Sequence, residues 1–301
     1  MTSRLLSRSG LLRHLASSNA DFCRGFASQS GSSVYVIFGA TGGIGADLAK
    51  RLLASKSTVI LAADQGDKLS KLKEELGGGE TKEVDVMNSK QTHLARKAFM
   101  PDQQDMSILV TLDLQIVDFL DGVAEEHGEI TGVTNLIGNM CIKPAHLTSD
   151  EEFNTALQAN TWSSFNILKG AAKAMMKNKK GGSIVLTSAS VAHTGVANHD
   201  AIAAAKGAVA GLTTGASATY APHNIRINCI APGLVQTGMT ESIWKNESHK
   251  EASEDLHPMG RVGEPKDIAR VVQFLLHPDS DFITGQIWGV DGGMTNVQAK
   301  Q

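Results

Sequence analysis

The sequence predicts an α/β fold: one doubly wound parallel sheet with helices on both faces, in a single domain. Three observations carry this. Strand-like runs at 34–38, 58–63, 132–137, 183–187, 225–230 and 286–290 alternate with helical stretches, the order a parallel sheet with crossover helices requires. The first run passes through a glycine-rich turn straight into a helical pattern. The composition is globular, 42% hydrophobic and 20% charged, and 301 residues supply ample core for one large domain.

Residues 1–33 differ from the rest. They carry Arg4, Arg8, Arg13 and Arg24, many serines and one acid, Asp21, with Leu5, Leu6, Leu11, Leu12 and Leu15 as an apolar stripe. Amphipathic, Arg- and Ser-rich, acid-poor: this is the recipe for a mitochondrial transit peptide, the alternative being a disordered tail. RGFAS at 24–28 is similar to a matrix-processing site, with the cut after Phe26. The expected location is the mitochondrial matrix.

The run VYVIF at 34–38 is β-branched and aromatic, and Gly39, Thr41, Gly43, Ile44 and Gly45 follow. A buried strand must turn sharply into a helix here, and glycine lets a pyrophosphate approach the backbone while the helix N-terminus offers it free N–H groups. Leu48, Leu52 and Leu53 fall on one face of that helix. The second strand ends at Asp64, placed to accept hydrogen bonds from the adenosine ribose and to repel a 2′-phosphate, so NAD is favoured over NADP. Val84, Asp85 and Val86 close a third short strand, where Asp85 either faces the adenine or caps a turn.

Several function classes are excluded early. Net charge is −3 and no basic block of nucleic-acid type occurs; Lys177, Lys179 and Lys180 form a solvated helix end. No apolar run reaches the roughly 18 residues that a membrane span needs. Cys23 leaves with the presequence, and Cys141 and Cys229 lie near strand ends without CxxC or Cys/His spacing, so reduced thiols and no zinc are expected.

Over about residues 33–296 the chain resembles the short-chain dehydrogenase/reductase family, whose fold is of Rossmann type. The spacing of Gly39, Gly43 and Gly45 matches the family's cofactor turn. NLIG at 135–138, with Asn135 and Gly138, stands where the family usually writes NNAG. Asn160 matches the helix asparagine of the catalytic tetrad. IAPGLVQT at 230–237, with Pro232, Gly233, Val235 and Thr237, matches the segment that holds the nicotinamide carboxamide. GRVGEP at 260–265, FITGQ at 282–286 and VDGG at 290–293 follow the familiar ending. One departure is the span from Asp85 to Asn135, 50 residues where the family needs about 26; deleting 92–115 restores the spacing. That stretch, with Pro101 and an apolar patch at 108–114, is expected to be a poorly ordered surface insertion, the alternative being a lid or partner-binding loop.

The resemblance also implies a tyrosine and lysine four apart on one helix, and a serine about 13 residues upstream that holds the substrate oxygen. In NHDAIAAAK (198–206) the lysine is Lys206, a ligand of the nicotinamide ribose in the family, but the tyrosine position is Ile202. The upstream position is Ala189, flanked by Ser188 and Ser190, either of which would serve after a one-residue shift or bond at a strand end. Tyr35 and Tyr220 are too far along the chain to substitute. His199, seven residues before Lys206, is the candidate acid or base, against the plainer reading of a helix-entry residue; His193 and Lys206 itself are others, and Asp200 is expected to cap the helix. The expected function is hydride transfer between a nicotinamide and a small carbonyl or alcohol. The alternatives are an enoyl- or dienoyl-thioester reductase and an inactive cofactor-binding subunit. Met239, Ile243 and Trp244 suggest an apolar cover over the pocket, running to about His257. The family implies a homodimer or homotetramer.

Overall fold

The computed structural model describes residues 33–84 and 106–298, with 106–115 by backbone alone. The expected presequence, Asp85, Val86 and residues 92–105 of the expected insertion lie outside the described residues.

Seven parallel strands run in the order β3-β2-β1-β4-β5-β6-β7. They are β1 (Val34–Phe38), β2 (Thr58–Ala63), β3 (Glu80–Glu83), β4 (Ile130–Asn135), β5 (Gly182–Thr187), β6 (Ile225–Pro232) and β7 (Ile287–Val290). The crossovers carry α1 (Gly43–Ala54), α2 (Gly66–Leu76), α3 (Met106–His127), α4 (Asp150–Leu157), α5 (Ser163–Asn178), α6 (Asp200–Tyr220), α7 (Glu241–Trp244), α8 (Glu247–Asp255) and α9 (Pro265–Leu276). None of the described helices is long and apolar enough to cross a membrane.

Because successive strand residues point to opposite faces, each central strand feeds two cores. Val34, Val36 and Phe38 pack with Ile116, Leu120 and Val123 of α3, Ile167 and Ala171 of α5 and Val209 of α6. Tyr35 and Ile37 pack on the other face with Leu48 and Leu52 of α1 and Ile268, Val272 and Leu275 of α9. Chain order reverses between β1 and β4, and their carboxyl ends open a crevice there, the usual ligand position in such sheets.

Two expectations are met only in part by the described residues. The third strand is Glu80–Glu83, and the Val84 N–H just beyond it donates to the Ala63 carbonyl at 2.8 Å. As an edge strand beside β2, β3 tolerates the polar sequence ETKE. Residues 106–115 of the expected loose insertion are helical and begin α3. The spacing of Leu109 and Leu112 continues the stripe of Ile116, Leu120 and Val123.

Candidate active site

The glycine turn links β1 to α1. Gly39 has φ +80, and a Cβ there would sit 2.9 Å from the backbone of Leu136. A Cβ on Gly45 would lie 2.5 Å from the Gly39 carbonyl. The Gly39 and Ala40 N–H groups donate to the Ala62 carbonyl at 2.9 and 3.2 Å, which pins the turn to β2. Gly43 opens α1 and faces the side chains of Thr237 and Pro265, while Ile44 packs into the core beneath. The N-terminus of α1 has no side-chain cap and no acid in its first turn. By contrast, Ser149 and Glu152 close the start of α4 with a reciprocal capping box. The free N–H groups of α1 therefore remain for an anion. Thr41 is half-buried in the turn, and Asp64 stands exposed just past β2.

Beside the turn, α4 passes into α5 through a π-helical segment, Gln158–Trp162, that contains Asn160. Asn160 is fully buried. Its Nδ2 donates to Asn139 Oδ1 at 2.7 Å and to the Ala156 carbonyl at 2.8 Å. Asn135 ends β4 and donates from Nδ2 to the hydroxyls of Ser163 and Ser164 at 3.2 and 3.0 Å, so sheet and π segment are stitched together. Thr161 Oγ1 donates to the Ala205 carbonyl at 2.9 Å, tying the same segment to α6. A Cβ on Gly138 would be 2.6 Å from Asn160 Oδ1 and 3.2 Å from Lys206 Nζ. Backbone, amide and ammonium thus converge on one point.

Lys206 is buried and donates to the Thr187 carbonyl at 2.9 Å. Burial pushes its pKa down to about 8, slightly offset by the neighbouring Cys229. The Cys229 thiol is itself pushed up to about 11, mainly by burial, and is therefore neutral at physiological pH. Among the described residues no carboxylate pairs with Lys206. A buried cation without a counter-ion is costly, and such groups mark functional sites.

The β6 end supplies the opposite wall. Val235 is buried and bridges to Gly263, with Gln236 N donating to the Gly263 carbonyl at 2.9 Å. Pro232 closes the strand, and Gly233 N donates to the Val290 carbonyl at 3.3 Å. The Thr237 N–H donates to Thr240 Oγ1 at 3.1 Å, and its carbonyl accepts from Trp244 Nε1 at 2.9 Å.

This arrangement can be set beside known proteins. A sequence description of the family named Enoyl-(Acyl carrier protein) reductase matches residues 103–295. A 3-oxoacyl-[acyl-carrier-protein] reductase of Buchnera aphidicola is 31% identical over 244 residues, 79% of this chain and 97% of its own length. The chain belongs to the short-chain dehydrogenase/reductase family. Its members are nicotinamide-dependent oxidoreductases. A short-chain type dehydrogenase/reductase of Mycobacterium ulcerans superposes with a TM-score of 0.77 at 26% identity, covering 90% of this chain and 93% of that one. A tropinone reductase homologue of Arabidopsis thaliana is 34% identical over 168 residues, 56% of this chain. The matches to three such homologues span 52%, 63% and 64% of their lengths.

Against the pattern of the short-chain dehydrogenases/reductases, the structure brings Gly138, Asn160 and Lys206 together, with Asn135 ending the adjoining strand and Ser188 bonded to the Lys206 backbone. Ser188 is buried and donates to the Lys206 carbonyl at 2.8 Å. Ser190 is buried and donates to the Ala231 carbonyl at 3.0 Å and to Asp291 Oδ2 at 2.9 Å. Both hydroxyls donate within the fold, as the alternative of bonding at a strand end has it. His199 is the N-cap residue of α6, and its Nδ1 lies 2.7 Å from the Ala197 carbonyl. The seven residues separating it from Lys206 amount to about 10 Å of helix rise, so its position does not favour a shared proton. Asp200 does not cap α6; its Oδ2 accepts from the Ala145 N–H at 2.7 Å and anchors the loop after β4. His193 Nε2 is 3.4 Å from Ser188 Oγ. Ile202 is buried.

Reading the sequence overlooked three features. His257 is buried against the 233–237 loop. Asp291 gathers bonds from Ser190, Gly293 and Thr295; burial would raise its pKa, but these bonds together hold it below the ordinary carboxylate range. Away from the crevice, Glu80, Glu126 and His127 bring ligand-type atoms within 4.8 Å of one another. Only the DG and HP dipeptides around Asp291 and His257 offered a signal, and both are common turn material.

Proposed function

We propose that this protein is an NAD(H)-dependent oxidoreductase of the mitochondrial matrix acting on a small carbonyl or alcohol, with Lys206 in place of the missing phenol as proton donor. The observation that carries this reading is the buried ammonium of Lys206, with no carboxylate partner among the described residues, beside Gly138 and Asn160. The residues present fit a nicotinamide dinucleotide. The uncapped start of α1 and Gly43 suit its pyrophosphate, Asp64 its adenosine ribose, Lys206 the second ribose and the 232–237 loop the carboxamide. When bound, the nicotinamide supplies the hydride to the carbonyl carbon. Lys206 gives a proton to the carbonyl oxygen, directly or through a water, and an alcohol results. With a pKa near 8, the lysine exchanges that proton close to neutral pH. Self-association into a dimer or tetramer fits the exposed Phe165 and Met176 on α5.

A second reading has its own observation. With Ala189 and Ile202 at the two expected hydroxyl positions, and Ser188 and Ser190 bonded internally, a cofactor-binding subunit without turnover is also supported. One experiment separates the two. NADH and NADPH are titrated by fluorescence, and carbonyl, alcohol and enoyl-thioester substrates are then screened. The enzyme reading expects tighter binding of NADH and turnover that declines above about pH 8 in the reductive direction, following Lys206. Tight NADH binding with no turnover on any class would leave the subunit reading, and absence of binding to either nucleotide would sink both.

A further inference from the structure

His257 joins the cover formed by α7 and α8 to the loop at 233–237. Its ring is 3% exposed. Nδ1 lies 2.5 Å from the Ser253 carbonyl, and Nε2 lies 3.1 Å from the Leu234 N–H. A carbonyl only accepts and an amide N–H only donates, so Nδ1 carries the hydrogen and Nε2 presents its lone pair. The two contacts select one tautomer and use both ring nitrogens.

Packing around it is tight. A Cβ on Gly233 would fall 2.3 Å from Nε2 and 3.1 Å from Asp291 Cα, so glycine is required where the loop closes on the ring. On the other side, a Cβ on Gly292 would meet His257 Cβ at 3.6 Å. Farther along, the same cover holds the loop at Thr237, through Thr240 Oγ1 and Trp244 Nε1. The backbone of the loop is thus shaped from the cover by three side chains; His257 and Thr240 are buried, and of the three His257 reaches Leu234.

We propose that His257 is a positioning residue for the nicotinamide loop: by accepting the Leu234 N–H it holds 233–237 in its binding shape and makes cofactor affinity depend on a docked cover. This rests on the reading of that loop as the carboxamide site. An N–H left buried without a partner shifts the loop toward other shapes, and apparent affinity falls with the fraction still competent. His257 touches neither substrate nor cofactor; it acts through the loop.

Two amide substitutions separate positioning from mere support in the full chain. The amide of glutamine reaches the place of Nε2 and can accept from Leu234, whereas that of asparagine reaches only the place of Nδ1 and keeps the bond to Ser253. NADH affinity is measured by fluorescence titration and stability by thermal melting without nucleotide. Both variants are expected to melt earlier than wild type. His257→Gln should bind NADH within about twofold of wild type, and His257→Asn about tenfold more weakly. Equal affinity in all three proteins, or an equal loss in both variants, would overturn the inference. If His257→Asn does not fold, Trp244→Phe removes one N–H from the same loop and is expected to weaken NADH about threefold; no change there also counts against it. Failure of the wild type to bind NADH or NADPH would remove the carboxamide reading first, and this inference with it.

Discussion

The two halves of the crevice use the same kinds of residue and end in opposite states. On the cofactor side, polar groups are left with capacity to spare. The start of α1 is uncapped, Asp64 is exposed, and Lys206 carries a buried charge with no carboxylate partner among the described residues. On the substrate side, that capacity is already consumed. Ser188 is given to the Lys206 carbonyl, Ser190 to Ala231 and Asp291, and Asp200 to Ala145, while position 202 is aliphatic. A polar group satisfied inside the fold has little left for a ligand, and one left unsatisfied in a buried site is kept at a cost to stability. The difference teaches that this fold can keep polar capacity on one wall of a crevice while spending it on the other.

The strongest way to break that comparison is to rebuild the missing half. The double substitution Ala189→Ser with Ile202→Tyr should raise carbonyl reduction about 10²- to 10⁴-fold, the usual contribution of a positioned general acid. Because Ile202 is buried, the phenol also overpacks the start of α6, at an expected cost of about 1–3 kcal/mol. Steady-state kcat/KM and a thermal melt on the same preparation test both parts. A double variant that binds NADH as well as wild type and gains no activity would show that the substrate half is not what limits the chemistry.

Legibility in the sequence divides along the same line. The sheet was readable because most of its strands are rich in β-branched and aliphatic residues, and six of the seven described strands fall where the pattern puts them. The exception, β3, is a polar edge strand whose pairing with β2 sets it instead of its composition. The cofactor half was readable because its demands are on the backbone: Gly39 needs a positive φ and Gly45 a contact that no Cβ permits, and such needs leave marks at fixed spacing. The substrate half was not. Whether Ser188 or Ser190 is free depends on carbonyls at 206 and 231 and a carboxylate at 291, 18 to 101 residues away. Nothing local in SAS at 188–190 encodes those partners. His257 escaped notice for the same reason, since its partner Leu234 lies 23 residues upstream.

The next effect in size concerns the charge kept on the cofactor side. The folded-state pKa of Lys206, about 8, lies below the ordinary 10.5. Below pH 8 both folded and unfolded chains hold the proton, and the burial cost is felt in full. As pH rises from about 8 to 10.5 the folded protein releases it first, so stability contributed by this group climbs, by up to about 3 kcal/mol. Lys206→Met should therefore be more stable than wild type at pH 7, lack that climb, and bind NADH more weakly. Denaturant unfolding at pH 7 and pH 10 provides the check. A variant no more stable than wild type at pH 7 would mean that the ammonium is compensated after all, and the contrast between the halves would blur.

The smallest expected effect sharpens the substrate side. Ser190→Ala takes from Asp291 one of four hydrogen bonds, leaving those from Gly293 N, Thr295 N and Thr295 Oγ1. The expected loss is about 1–2 kcal/mol, since a hydrogen bond to a charged partner goes but the carboxylate stays mostly satisfied. Although burial opposes it, the net effect of these bonds is to hold Asp291 below the ordinary carboxylate range. Its contribution is therefore present above about pH 4 and fades as the group protonates in acid. The gap between variant and wild type should follow that course, wide at pH 7 and narrowing as the pH falls below about 4. NADH affinity and any turnover should be unchanged, because the hydroxyl serves the fold. A fall in kcat with the melting temperature held would return Ser190 to the chemistry and reopen the substrate half as a working site.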